Sequence, residues 1–482
     1  MRMLIFPALM LALVLGLANC AVNPVSGRQQ FNLMSEAQEI QVGQQGDAEV
    51  RREYGDYSDP ALEQLVGGIG RRLAASSHRP DLPWRFRVLD SPQINAFALP
   101  GGPVYITRGM LAFLNTEAEL AAVLGHEVGH ITARHGAQRY SAGQATQIGM
   151  ALLSVLAPEL SRAGQSIIGP LATALLRGYG REHELEADRL GAEYIARNGY
   201  RPEAMIEVVG VLKDQELYDI ELARREGREP RAYHGVFATH PDNDTRLREV
   251  VLAARRFTRD DLPAETPGNL LPKLDGLVWG DSPDQGLLRG SRFLHGPLRL
   301  QLDLPAGWKV QNNPQQLLAQ APRGDAQLQL VALGAPRDGI ESQLRRALRL
   351  GPRETVQQQR INGLEAASVS GVANGTPFRA LAVRLEQQDL LLVGLARDRN
   401  ALTTLTPAFR DSAGSIRRLS KAEADALQPL RIRLLTVKRE TTYQALAKDS
   451  PLGDGAADVL RLINGDWPSG EPTRGRTIKV VR

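Results

Sequence analysis

From Thr116 to His130 the chain reads T-E-A-E-L-A-A-V-L-G-H-E-V-G-H, and Leu120, Val123, Leu124, Val128 and Ile131 return every three or four residues. That is the spacing of one buried helical face. Thr116 and Glu119 stand at the N-cap and N3 positions of a capping box, so the helix is expected to start there. A helix is also expected from Ser35, and a second, amphipathic one over 61–79. Trp84–Leu89, Ile94–Leu99 and Val104–Thr107 read as short strands, the last two separated by P-G-G-P, which forces a turn. These strands are expected to be antiparallel and to end in a sheet edge beside the Thr116 helix, where an extended peptide can pair by main-chain hydrogen bonds. The competing expectation is an edge covered by the chain itself. Residues 141–178 are rich in Ala, Gly, Leu and Ser, and read either as a lid or as ordinary helical packing.

The chemistry on the central helix is specific. His126 and His130 lie four residues apart and share a face, with Glu127 about 100° round the axis. H-E-x-x-H on a helix is the arrangement of two imidazoles that hold zinc and a carboxylate that takes a proton from water. The surrounding Ala, Val, Leu and Gly argue against a solvated face, and buried imidazoles need partners. A second stretch, G-Y-G-R-E-H-E-L-E-A-D-R-L-G over 178–191, places Glu184 and Asp188 on one face of another helix. Glu184 there offers a third ligand and leaves a fourth position open. Asp188 offers an acceptor for the outer nitrogen of a ligating histidine. Glu186 is expected to point about 200° away from Glu184 and to be dispensable. The alternative is a solvated acidic stripe of Glu182, Glu184, Glu186 and Asp188 balanced by Arg181 and Arg189.

Taken in order, H-E-V-G-H and E-L-E-A-D-R-L-G, with N-A-F-A-L-P-G-G-P-V-Y-I-T-R-G-M-L before them and T-H-P-D-N-D-T-R-L after (239–247), make residues 23–255 resemble the gluzincin metallopeptidases. That family includes HtpX-like and Oma-type proteases, the CAAX prenyl proteases and the BepA-like proteins. The resemblance implies an α+β fold, with a mainly helical zincin-type domain carrying a small sheet. It implies one zinc ion per chain held by His126, His130 and Glu184, with Glu127 as general base. His240, in the T-H-P element, is held extended by Pro241 and is expected near the cleft. It reads as an oxyanion donor, as an inhibitory zinc ligand, or as a surface residue in a turn.

Met1-Arg2-Met3 followed by the apolar run Leu4–Leu17 reads as an export signal, too short for a comfortable membrane span. It ends in L-A-N-C, and Cys20 is the single cysteine. This resembles a bacterial lipoprotein signal, although Asn19 departs from the small residue usual before the cysteine. It implies lipidation at Cys20 and, with Ala21 and Val22 following, a periplasmic location anchored to the outer membrane. The 482 residues carry a net charge of +4 with no basic stripe, which gives no support to a nucleic-acid partner.

The expected domains are a signal peptide over 1–20, a metallopeptidase domain over 21–258, a linker over 259–285, an α/β accessory domain over 286–422 and a terminal module over 430–482. In the accessory domain strand-like runs fall at 298–304, 308–311, 317–320, 326–333 and 379–393, with helical patterns near 339–350 and 400–410. R-L-Q-L-D-L-P-A-G-W-K-V-Q-N (299–312) is similar to the Mog/PsbP-type α/β sandwich. His295 reads as structural. The last segment reads strand, helix, helix, strand and resembles a LysM module, which implies peptidoglycan binding. Arg439-Glu440-Thr441 stands where Gly-Asp-Thr is usual, so a module that only packs is the alternative. The function expected is a zinc endopeptidase of the bacterial envelope acting on misfolded or unassembled polypeptides. A peptidoglycan-tethered scaffold or chaperone on an idle protease fold is the second reading.

Overall fold

The computed structural model describes residues 20–32, 34–141, 179–226, 243–258, 269–373 and 375–482. The chain mixes helix and sheet in two compact units. One comprises Met1–Arg51, Asp56–Leu277 and Arg431–Arg482; the other comprises Arg52–Gly55 and Val278–Leu430.

The first unit opens with helices α1 (Glu36–Tyr54) and α2 (Pro60–Ala75). Asp59 caps α2 by accepting the backbone N–H groups of Ala61 and Leu62, and Pro60 occupies the first turn, where no N–H is needed. Three strands follow: β1 (Arg85–Leu89), β2 (Ala96–Ala98) and β3 (Pro103–Thr107). Their order is β1-β3-β2, and the expected all-antiparallel sheet is mixed: β3 runs antiparallel to β2 but parallel to β1. The chain reverses once between β1 and β2 and again at P-G-G-P, and two reversals restore the first direction. Gly101 and Gly102 make that second turn at φ 80° and 127°, a region that penalises a Cβ.

Helices α3 (Arg108–Phe113), α4 (Glu117–Thr132), α5 (Arg181–Arg197), α6 (Ala204–Glu226) and α7 (Asn243–Phe257) complete this part. α4 is the central helix expected from sequence. Thr116 Oγ1 accepts the Glu119 N–H at 3.1 Å, and the Glu119 carboxylate accepts the N–H groups of Asn115 and Thr116. Every α4 residue from Ala118 to Thr132 is buried, so α4 is a core helix.

The second unit is built on an all-antiparallel seven-stranded sheet. Its strands are β7 (Lys309–Asn313), β8 (Gln316–Gln320), β9 (Ala326–Gly334), β10 (Gln357–Ile361), β11 (Leu364–Ala373), β12 (Thr376–Arg384) and β13 (Asp389–Ala396), in the order β7-β8-β9-β13-β12-β11-β10. The run 379–393, expected as one strand, is the hairpin β12–β13, turning at 385–388. One face packs helix α8 (Ile340–Leu348), with Ile340 and Leu344 against Ala367, Ala380 and Ala382. The other face packs helix α9 (Leu402–Ser415) and a small sheet of β4 (Leu287–Arg289), β5 (Arg292–His295), β6 (Leu300–Asp303) and β14 (Arg417–Arg418).

After this unit the chain returns to the first one with β15 (Leu430–Thr436), α10 (Tyr443–Ala447), α11 (Ala456–Asn464) and β16 (Thr477–Val481). β15 and β16 pair antiparallel. α11 packs on α3 and α6, and Arg225 of α6 meets Asp458 of α11 at 3.4 Å. Lys479 of β16 is fully buried. Its Nζ donates to the carbonyls of Ala112 at 2.7 Å and Leu114 at 2.8 Å, where α3 ends and α4 is about to begin. Burial pushes this amine down to about 7, opposed by the nearby Glu119 carboxylate.

Candidate metal centre

α4 and α5 approach each other closely because glycine stands where they touch. A Cβ at Gly125 would lie 3.1 Å from Ile195 Cγ2, and one at Gly129 would lie 3.0 Å from the Ala187 carbonyl oxygen. From the other side, a Cβ at Gly191 would lie 3.0 Å from the His126 amide nitrogen. Larger residues would hold the helices apart. The close approach lets short acidic side chains on α5 reach the histidines of α4.

His126 Nε2 and His130 Nε2 are 3.0 Å apart. The Glu184 carboxylate lies 3.5 Å from each, Oε2 facing His126 and Oε1 facing His130. All three residues are buried, and their ligand atoms fall within 4.8 Å of one another. Among the described residues this is the one such cluster of His, Cys, Asp and Glu side chains. Two imidazole nitrogens and one carboxylate aimed at a common point form a donor set suited to zinc with an open fourth position. The charge balance agrees. Burial draws the His126 imidazolium down, but Asp188 and Glu184 outweigh it and push it up to about 9, so the site favours a cation. The residues fit one zinc ion.

The outer nitrogens are also answered. His126 Nδ1 lies 2.8 Å from Asp188 Oδ1. Arg246 of α7 then holds Asp188 with two hydrogen bonds, at 2.9 and 2.7 Å, and comes within 3.3 Å of Glu184. Burial alone would raise the Asp188 carboxyl, yet Arg246 and His126 hold it below the usual range. On the other ligand, His130 Nδ1 lies 2.9 Å from His135 Nδ1, and His135 Nε2 lies 3.2 Å from Glu186 Oε2. Tyr179 stacks on the His130 ring at 3.8 Å, and His183 stacks on His135 at 4.2 Å.

Glu127 is 2% exposed and borders a mainly apolar, partly open pocket walled by Met110, Val123, Met205, Val208 and Leu212. Of the residues marked out in the sequence, His126, His130, Glu127, Glu184 and Asp188 therefore converge. Glu186, expected to be dispensable, touches His135. His240 and the segment 142–178 lie outside the described residues. Cys20 opens a short strand that pairs with Gln29–Phe31.

Two participants were not singled out from sequence. Arg246 was visible as the arginine of T-H-P-x-x-x-x-R without a role. His135 had no periodic signal, because it sits past the helix end. Arg134 at φ 61° turns the chain so that His135 comes back to His130.

Residues 60–253 match the family model described as peptidase family M48. The chain carries an M48 peptidase domain. It is 29% identical over 236 residues to the beta-barrel assembly-enhancing protease of Escherichia coli K12, covering 47% of this chain and 46% of that protein. It is 33% identical over 201 residues to the Yersinia pestis protein of the same name, covering 40% and 39%. It is 31% identical over 230 residues to the mitochondrial metalloendopeptidase OMA1 of Schizosaccharomyces pombe, covering 47% and 64%. The chain thus spans about half the length of the bacterial relatives. The M48 domain holds every residue of the site described above, from His126 to Arg246.

Proposed function

We propose that the protein is a zinc-dependent endopeptidase, with His126, His130 and Glu184 as the ligands and Glu127 as the general base. The observation that supports this most is the position of Glu127. It adjoins the two histidines on α4 and borders a mainly apolar pocket beside them, and a purely structural zinc site needs no base. When bound, zinc supplies Lewis acidity toward the scissile carbonyl and lowers the pKa of water to about 7. Glu127 accepts the proton of the attacking water and passes it to the departing amine. Asp188, itself fixed by Arg246, orients His126. The glycine-mediated contact of α4 with α5 keeps Glu184 in reach of both imidazoles.

Casein cleavage and zinc content of the wild type and Glu127→Gln test this reading. The wild type should cleave, and the variant should keep its zinc and lose cleavage. Full zinc with no wild-type proteolysis would favour the scaffold or chaperone reading instead.

The setting we infer is the bacterial envelope, with misfolded or unassembled envelope polypeptides as substrates and lipid attachment at Cys20 holding the chain to the outer membrane. The supports are the names of the bacterial relatives and the apolar run ending in L-A-N-C. Residues 430–482 run strand, helix, helix, strand, the order of a LysM-like module. The closing segment of that module is stitched to α10 and α11 by Glu471, which accepts the Tyr443 N–H and pairs with Arg461. Packing is the role these contacts favour. Pull-down on isolated peptidoglycan separates it from glycan binding.

A further inference from the structure

α5 supplies three carboxylates to this centre, and two of them have evident tasks: Glu184 faces the metal point, and Asp188 answers His126. The third, Glu186, ends a chain of contacts that starts on the other histidine. His130 Nδ1 is 2.9 Å from His135 Nδ1, and His135 Nε2 is 3.2 Å from the Glu186 carboxylate. His135 is fully buried.

Proton placement along this chain is dictated by chemistry. A histidine that ligates through Nε2 carries its proton on Nδ1. His130 must then donate, so His135 Nδ1 must accept. A neutral His135 that accepts at Nδ1 carries its proton on Nε2, where the one acceptor at hydrogen-bond distance among the described contacts is Glu186. Without that carboxylate the other tautomer of His135 becomes accessible, and two N–H groups would face each other across 2.9 Å. The stacking of Tyr179 on His130 and of His183 on His135, with interplanar angles of 16° and 17°, restrains both rings against turning away.

We propose that His135 and Glu186 form a serial hydrogen-bond relay that selects the ligating tautomer of His130 and so sets the zinc affinity of the site. They are positioning residues, and the proposal rests on the metal-site reading given above. His126 receives the same service directly from Asp188. On its Nδ1 side His130 meets His135 rather than a carboxylate, and that one imidazole carries the contact on to Glu186. A change of this outer kind typically weakens metal binding by about 10- to 100-fold.

The test is competitive titration of Zn²⁺ into the metal-free full chain against a chromophoric chelator, with folding checked by circular dichroism. Glu186→Leu should weaken Zn²⁺ by about 10- to 100-fold. Glu186→Gln should recover most of the loss, because an amide oxygen still accepts from His135. His135→Phe should weaken binding at least as much as Glu186→Leu, and adding Glu186→Leu to it should cost nothing more, as a serial relay requires. Glu182→Leu, at an exposed position of the same helix, should be silent. Wild-type affinity in folded Glu186→Leu, or additive losses in the double variant, would overturn the relay. A wild type that binds no Zn²⁺ would instead overturn the metal site itself.

Discussion

Gly129→Ala tests whether the spacing of α4 and α5 builds the metal centre. On helix propensity alone the change should help, by about 1 kcal/mol. The structure reverses that expectation. The new Cβ would stand 3.0 Å from the Ala187 carbonyl oxygen, 3.2 Å from Ala187 Cα and 3.2 Å from Leu190 Cβ. Two of these neighbours are backbone, so the strain is relieved by moving α5 as a body rather than by turning a side chain. Overpacking of this kind costs about 1–3 kcal/mol, and with rigid neighbours the upper half of that range applies. The net result is a loss of about 1–2 kcal/mol. Glu184 is one turn before Ala187 on the helix that moves, so its carboxylate retreats from His130, and zinc binding should weaken about tenfold, as when an outer partner is lost. Urea denaturation of the metal-free protein and chelator competition read the two effects. Gly210→Ala on α6 is the control: nothing lies within 4 Å of its Cβ position, so it should be neutral to stabilising, by up to about 1 kcal/mol. A Gly129→Ala protein more stable than wild type with unchanged zinc affinity would refute the reasoning.

Three further outcomes are expected. Arg246→Gln leaves Asp188 buried beside His126 without its cation and should destabilise the metal-free protein by about 3–5 kcal/mol, read as a fall in denaturation midpoint. Lys479→Met leaves the Ala112 and Leu114 carbonyls without their donor, at about 1–3 kcal/mol for each buried group left unsatisfied. It should also change the pH dependence. The folded state releases the Lys479 proton above about 7 while the unfolded chain holds it to 10.5, so the wild type gains stability from pH 7 to 9 relative to the variant, and parallel stability curves over that window would count against the assignment. Cys20→Ala should abolish membrane fractionation while leaving the thermal midpoint unchanged, and unchanged fractionation would count against lipid attachment.

Local signals carried much of the site into view. The Thr116–Glu119 capping box and the apolar period of α4 are short-range patterns, and the four-residue steps from His126 to His130 and from Glu184 to Asp188 need only helix geometry. What pairs across the helices does not show in such patterns. His135 reaches His130 through a left-handed residue at Arg134, and a lone histidine past a helix end has no period to betray it. Strand β10 is hidden for a different reason. Gln357–Arg360 is exposed and polar on both faces, so it has no alternation, and its strand identity comes from pairing with β11. The parallel partnership of β1 and β3 likewise depends on how many times the chain reverses between them.

The second unit lies, in sequence, wholly inside the first. Lys479, whose amine ties the end of α3 ahead of the zinc-helix start, is separated from its carbonyl partners by more than three hundred residues. Closing that contact carries a large loop entropy and is therefore a late step. A chain emerging from its N-terminus presents α4, with its histidines and base, long before the residue that anchors the loop leading into it. The helix of the H-E-x-x-H segment thus waits on the arrival of β16, so shortened chains that keep the whole segment should still lack a firmly anchored approach to it. Under the function proposed above, this ordering delays a finished site until β16 has been made.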